Sequence, residues 1–288
     1  MIYLNNALVH KRKAMISVYD HGFLYGDGIY ETMRAYKGTV FMLDEHVERL
    51  FRSASMIGLI INKKRSEIKK AVYETLKANR VREAAIRITM SRGPGLTGLD
   101  PALCKKPTFV IFAHQFKEYP VRYYQKGVKI IISDTRRNFR KAVDPQIKSL
   151  NFLNNILANI EAIKSNAHEA VMLNYRNYLA EGTVSNLFFV RDNILHTPSL
   201  SVGILNGITR SILLELAKEL KIKTREGKYR AEDIFSAQEV LISNTTMEVM
   251  PVSEVDGKKT ASSPGHITKE LHRAYRKTVL TSIQGISE

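Results

Sequence analysis

A chain of 288 residues, 44% hydrophobic and 25% charged, has the make-up of a folded protein and not of a disordered one. At about 150 residues per domain it has room for two domains. Cys104 is the only cysteine, which excludes an internal disulfide and a cysteine-rich metal site, and no metal is expected. No apolar run approaches the roughly 18 residues of a membrane span. The opening MIYLNNALVHKRK turns basic too soon for a secretory signal, so the expected compartment is the cytoplasm, with no membrane partner. A formal net charge of +16 raises nucleic acid as a partner. The basic residues are scattered, however, and no zinc-finger or aromatic RNA-binding spacing accompanies them. The expectation is therefore a solvated basic surface that attracts acidic small molecules.

In chain order, IYLNNALV reads as two short strands around an Asn-Asn turn, and Ile29 to Tyr36 as a strand ending at a Lys37-Gly38 turn. Asp44 is placed to cap a helix in which Val47, Leu50, Phe51, Ala54 and Ile57 recur at helical spacing. A second helix carries Ile68, Val72 and Leu76, and the strands AAIRITMS and PTFVIFA flank the glycine-rich loop RGPGLTGLDP. This mixture, in which strands and helices do not alternate regularly, points to an α+β fold. KEYPVRYYQKG is polar and contains a proline, which suggests a linker over 116–127 between an N-terminal α+β domain at 1–115 and a C-terminal α/β domain at 128–288. The second domain is expected to hold the strand GVKIIIS, a helix from about Leu150 to Ser165, the strands EAVMLN, NLFFVRD and EVLISN, an amphipathic helix from Ile208 to Leu220, and a C-terminal helix over HITKELHRAYRKTVL.

Between Asp144 and Glu161 the one charged residue is Lys148, set among Ile147, Leu150, Phe152, Leu153 and Ile156. Desolvation on an apolar segment disfavours the ammonium and frees the nucleophilic amine, so such a lysine can form a Schiff base. The competing reading is a lysine that buries its methylene stem and extends its charge to water.

The ordered motifs YGDGIYETMR, HVERLFRSA, IKSLNFLNN, LAEGTVSNLFFV, GILNGITR and SNTTMEVMPV decide between them. Together they resemble the two-domain fold type IV pyridoxal-phosphate enzymes: branched-chain aminotransferases, D-amino-acid aminotransferases and aminodeoxychorismate lyases. The resemblance runs from Tyr3 to about Val252. It implies that Lys148 is the catalytic residue, binding pyridoxal 5′-phosphate covalently and later moving the substrate's α-proton. A tethered amine beside the reacting carbon suits both tasks. Glu181 would keep the pyridine nitrogen protonated, whereas local sequence alone reads it as an exposed turn carboxylate before Gly182. Arg49 would meet the phosphate with its planar fork, with Arg52 as a nearby competitor. Ile208 and Thr209 open an amphipathic helix whose free amides face an anion, and Thr245 would add a further phosphate contact.

On the substrate side the resemblance implies Tyr30, Arg34, Arg87 and the backbone of Thr246; each arginine can also be read as an ordinary ion-pair partner on a strand. The RGPGLTGLDP loop lacks the Arg-Xaa-His pair with which standard D-amino-acid enzymes hold the substrate carboxylate, and looks more like that of the branched-chain group. Thr32 departs from the branched-chain pattern, where glycine is common, and occurs in the lyases. The expectation is an aminotransferase transferring the amino group of a small amino acid, L-branched-chain first, to 2-oxoglutarate by a ping-pong mechanism. A homodimer is implied by the resemblance alone. The alternatives are a D-amino-acid aminotransferase, an aminodeoxychorismate lyase and, in another class, a non-catalytic basic protein that binds nucleic acid.

Overall fold

The structure is a computed structural model, described for residues 1–284. It divides into two compact units: Met1–Lys117 with Ile147–Phe152 and residues 282–284, and Glu118–Gln146 with Leu153–Thr281.

The first unit contains β1 (Ile2–Leu4), β2 (Ala7–Val9), α1 (His21–Tyr25), β3 (Gly28–Tyr36), β4 (Thr39–Val40), α2 (Leu43–Met56), α3 (Arg65–Asn79), β5 (Ala84–Ser91) and β6 (Thr108–Gln115). Its strands form one antiparallel sheet in the order β2-β1-β6-β5-β3-β4. Side chains alternate across a strand, so Ile29, Met33 and Ala35 of β3 and Ile86, Ile88 and Met90 of β5 share a face. They build the core with Val47, Leu50 and Ala54 of α2 and Ile68, Val72 and Leu76 of α3. Tyr30, Thr32 and Arg34 of β3 and Arg87 and Thr89 of β5 belong to the opposite face, with Tyr30 paired to Thr89 and Thr32 to Arg87. The helical spacing of α2 holds, but its cap does not. Met42, in the left-handed region at φ 51°, ends the preceding turn, and Asp44 lies inside the first helical turn, where its charge favours the positive helix end.

The second unit contains α4 (Val121–Lys126), β7 (Val128–Ser133), α5 (Leu153–Lys164), β8 (Glu169–Leu173), β9 (Leu179–Gly182), β10 (Asn186–Arg191), β11 (Ile194–Pro198), α6 (Ile208–Glu219), β12 (Thr224–Gly227), α7 (Ala231–Phe235), β13 (Glu239–Asn244), β14 (Glu248–Val255), β15 (Lys258–Lys259) and α8 (His266–Gln284). The sheet runs β12-β11-β10-β13-β14-β7-β8-β9 and is mixed: β7 is parallel to both β8 and β14, while β10 and β13 are antiparallel. The buried strands β8, β10 and β13 read as nearly continuous apolar runs, as expected of strands covered on both faces. On α5, Ala158 and Ala162 pack against Ala170 and Met172, whereas Leu153, Ile156, Leu157, Ile160 and Ile163 are exposed.

The chain thus does not divide at a single linker. The stretch expected to be a linker contains α4, because Tyr119, Tyr123 and Tyr124 pack onto the core of the second unit. The lysine segment groups with the first unit, not with the C-terminal domain assigned to it. Residues 147–152 return to the edge of β3: Tyr30 N donates to Lys148 O at 2.9 Å, and Leu150 N donates to Gly28 O at 2.9 Å. This added extended segment delays α5 to Leu153, three residues after the expected start at Leu150.

Candidate active site

In the first unit the sheet edge sets the position of Lys148. Its carbonyl is bound by Tyr30 N, its amide donates to Ser53 Oγ at 3.2 Å, and Ser149 bridges Ile29. The side chain is half-buried, with Nζ 4.4 Å from the centre of the Tyr30 ring. Arg87 stacks on the same ring at 4.0 Å, and Phe152 packs against it at 4.9 Å between centroids. A primary amine, an aromatic wall and a guanidinium therefore meet on one sheet face. Burial pushes the Arg87 guanidinium below its ordinary range, with a lesser opposing influence from Tyr30, so an anion beside it would be favoured. Phe152 was a sequence-legible member of this group, being the one aromatic in the lysine segment.

The two other arginines proposed for this unit make different contacts. Arg34 is buried, with its guanidinium over Tyr36 at 4.3 Å and Phe116 at 4.0 Å. Arg49 is buried on α2 and grips Glu31 with a bidentate fork, Nε to Oε1 at 2.7 Å and Nη2 to Oε2 at 2.8 Å. His46 Nδ1 lies 2.7 Å from Oε2 of the same carboxylate. Burial raises the Glu31 pKa, but the charge and hydrogen bonds of Arg49, joined by those of His46, outweigh it and hold the carboxyl well below the usual range. Burial pushes the His46 imidazole down, against the opposing pull of Glu31, and Nδ1–H donates to a carboxylate that can only accept.

The second unit fixes Glu181 at the end of β9. Oε1 accepts from Arg137 Nε at 2.8 Å, and Oε2 accepts from Leu205 N at 3.0 Å and from Asn186 Nδ2 at 3.3 Å. The competing picture of an exposed turn carboxylate does not hold, since Glu181 is buried. Asn186 also donates to Leu205 O at 3.0 Å, joining β10 to the loop that opens α6. That helix begins at Ile208 and Thr209 after Gly207, with no side-chain cap on its first-turn amides, the arrangement of an anion-binding helix end. Thr245 and Thr246 form the turn between β13 and β14. Asn244 Oδ1 holds it by accepting from Thr246 N at 2.9 Å and Met247 N at 2.8 Å. Arg137 and Asn186 escaped sequence reasoning: one lies in a basic run that reads as surface, the other inside an apolar strand motif.

These groups fit pyridoxal phosphate by their chemistry: a half-buried amine, a carboxylate held rigid by donors, and an uncapped helix end. At Gly207 a Cβ would stand 1.9 Å from Asn186 Oδ1, so the residue before α6 is packed closely against Asn186. The mixed α+β architecture is that of the fold type IV enzymes. The Amino-transferase class IV family matches residues 28–255, and the chain belongs to that family.

A putative branched-chain-amino-acid aminotransferase from Methanocaldococcus jannaschii is 40% identical over 96% of this chain and 95% of its own. A D-alanine aminotransferase from Staphylococcus epidermidis is 35% identical over 96% and 97%, and an aminodeoxychorismate lyase from Bacillus subtilis 32% over 98% and 96%. Among solved structures, the branched-chain amino acid aminotransferase of Escherichia coli matches with a TM-score of 0.93 and 29% identity, over 96% of this chain and 93% of the other. A further branched-chain amino acid aminotransferase, matching with the same TM-score, was solved with pyridoxamine 5′-phosphate. Class IV aminotransferases use pyridoxal phosphate, and this chain is an aminotransferase-family enzyme. Among the described residues, no helix is long and apolar enough to cross a membrane.

Proposed function

We propose that this enzyme transfers the amino group of an L-branched-chain amino acid to 2-oxoglutarate by a ping-pong mechanism. The observation that carries the reading is the convergence of Lys148 Nζ and Arg87 on the Tyr30 ring, which sets a proton-transferring amine beside an anion-binding guanidinium and an apolar wall. The name of the relative at 40% identity supports the substrate class.

When bound, pyridoxal phosphate supplies an electron-withdrawing ring that takes up the electron pair left at the substrate's α-carbon and holds the amino group between two oxo acids. Lys148 would anchor the cofactor through Nζ, and the same atom would take the substrate's α-proton. Glu181 would face the ring nitrogen and hold its proton; its own donors fix the carboxylate for that role. Arg49, whose Nε and Nη2 are held by Glu31, the first-turn amides of Ile208 and Thr209, and Thr245 would receive the phosphate. Arg87 and the Thr246 backbone would orient the substrate carboxylate, Tyr30 would wall its side chain, and Arg34, on the same face of β3 as Tyr30, would be a further substrate-side cation.

The working form is a homodimer. Large apolar side chains stand exposed in the first unit at Met15, Val18, Tyr19, Phe23, Leu96 and Leu99, and in the second along α5, as surfaces awaiting a second copy do.

The test is initial-rate kinetics with L-leucine and 2-oxoglutarate. Glutamate formation with parallel double-reciprocal lines is expected. Turnover of D-alanine with no turnover of L-leucine would overturn the substrate class. Pyruvate release from aminodeoxychorismate without an oxo acid would favour the lyase reading, to which Thr32 and the Bacillus subtilis relative give support.

A further inference from the structure

Within the core of the first unit, on the β3 face lined by Ile29, Met33 and Ala35, sits a fully buried carboxylate, Glu31. Three nitrogens surround it: Nε and Nη2 of Arg49 and Nδ1 of His46, at 2.7, 2.8 and 2.7 Å. Arg49 and His46 stand one helical turn apart on α2, so both reach the same strand residue.

Stability does not account for this arrangement. Burying an ion pair costs desolvation that mutual attraction often fails to exceed, and apolar side chains of similar size commonly serve a core as well or better. The neighbours on both elements, Val47, Leu50 and Ala54 on α2 and Ile29 and Met33 on β3, are of that apolar kind. What the carboxylate does supply is direction. An arginine on a helix has many rotamers, and a two-point fork on a fixed carboxylate selects one. His46 adds a third hydrogen bond, on Oε2, that fixes the carboxylate plane.

We propose that Glu31 and His46 are positioning residues that hold the Arg49 guanidinium in the orientation that receives the cofactor's phosphate. The inference rests on the reading of Arg49 as a phosphate ligand, and its experiment separates the two. Protein freed of cofactor is titrated with pyridoxal 5′-phosphate and, separately, with pyridoxal, which lacks the phosphate; thermal unfolding is recorded for each variant. Glu31→Gln preserves shape and removes the charge. The expected result is a loss of about ten- to a hundredfold in affinity for pyridoxal phosphate, the scale of one charge-assisted hydrogen bond, with affinity for pyridoxal unchanged.

Equal losses for both compounds would mean that Glu31 only maintains the fold, and no loss for either would mean that Arg49 is aimed without it. Either result overturns the proposal. Arg49→Lys is the reference: if it leaves the ratio of the two affinities at the wild-type value, the phosphate reading of Arg49 itself fails. Should Glu31→Gln not fold, His46→Leu removes one of the three donors and keeps the ion pair. A several-fold fall in the same ratio is then expected, and an unchanged ratio would refute the role of His46 and with it the proposal.

Discussion

Replacing Gly207 by alanine should destabilise the protein although the backbone there accepts any residue. Its dihedrals, φ −69° and ψ 135°, are ordinary extended values, so no left-handed strain is involved. The obstacle is Asn186: its Oδ1 would lie 1.9 Å and its Cγ 3.1 Å from the new Cβ, and real Cβ contacts essentially never fall below 3.0 Å. Asn186 is buried and can yield only by giving up its bonds to Leu205 O at 3.0 Å and Glu181 Oε2 at 3.3 Å. Groups left unsatisfied in that way, or a backbone that shifts instead, cost about 2–4 kcal/mol in all. Urea unfolding measures the loss. A double-mutant cycle isolates its cause, because in an Asn186→Ala background the same substitution should be neutral or stabilise by about 0.4–1 kcal/mol through the unfolded chain. An unchanged midpoint for Gly207→Ala in the otherwise native protein would refute the reasoning.

Acid should weaken the fold in two stages. The His46 imidazole is pushed down by burial, so its contribution is complete above the ordinary value of about 6.5 and is lost as pH falls below it; that of Glu31, whose carboxyl is held low, follows below about 4.3. His168 and His196, both pushed down chiefly by burial, act in the first stage with the same sign. Urea midpoints that stay level from pH 8 to pH 5 would contradict this. Leu50→Ala, in the wholly buried centre of the first unit, should cost about 2–5 kcal/mol by the same denaturation assay, with the smallest values excluded if the cavity cannot collapse. Arg87→Lys should raise KM for the amino acid by about tenfold, since an ammonium cannot stack on Tyr30 or fork onto a carboxylate, while stability stays within about 0.5 kcal/mol. Sedimentation of the purified protein should report two copies per particle, and a single copy at micromolar concentration would count against the exposed apolar face of α5 as an interface.

Local periodicity made the elements legible. Val47, Leu50 and Ala54 announce α2, and the apolar runs of β8, β10 and β13 announce buried strands. Lys148 was visible because a charge amid apolar residues is conspicuous, and the ordered motifs supplied its partners. Contacts between residues distant in sequence were hidden. Glu31 and Arg49 meet across eighteen positions and Arg137 and Glu181 across forty-four, separations on which no local rule operates. Arg137 within its basic run has no mark that distinguishes it from Arg136 or Arg140. The 116–127 stretch misled because proline and polar residues signal a linker, while Tyr119, Tyr123 and Tyr124 carry the apolar area that folds it onto the second unit. Asp44 is a good capping residue by type. The turn made by Met42 starts the helix before it.

The central claim is that Lys148 carries the cofactor. Adding pyridoxal 5′-phosphate to the purified protein, reducing with borohydride, digesting and locating the added mass by mass spectrometry tests it most directly. The account predicts the cofactor on the peptide spanning Lys148 and its loss in Lys148→Ala. Attachment at any other of the chain's lysines, or no attachment while the protein remains folded, would contradict it.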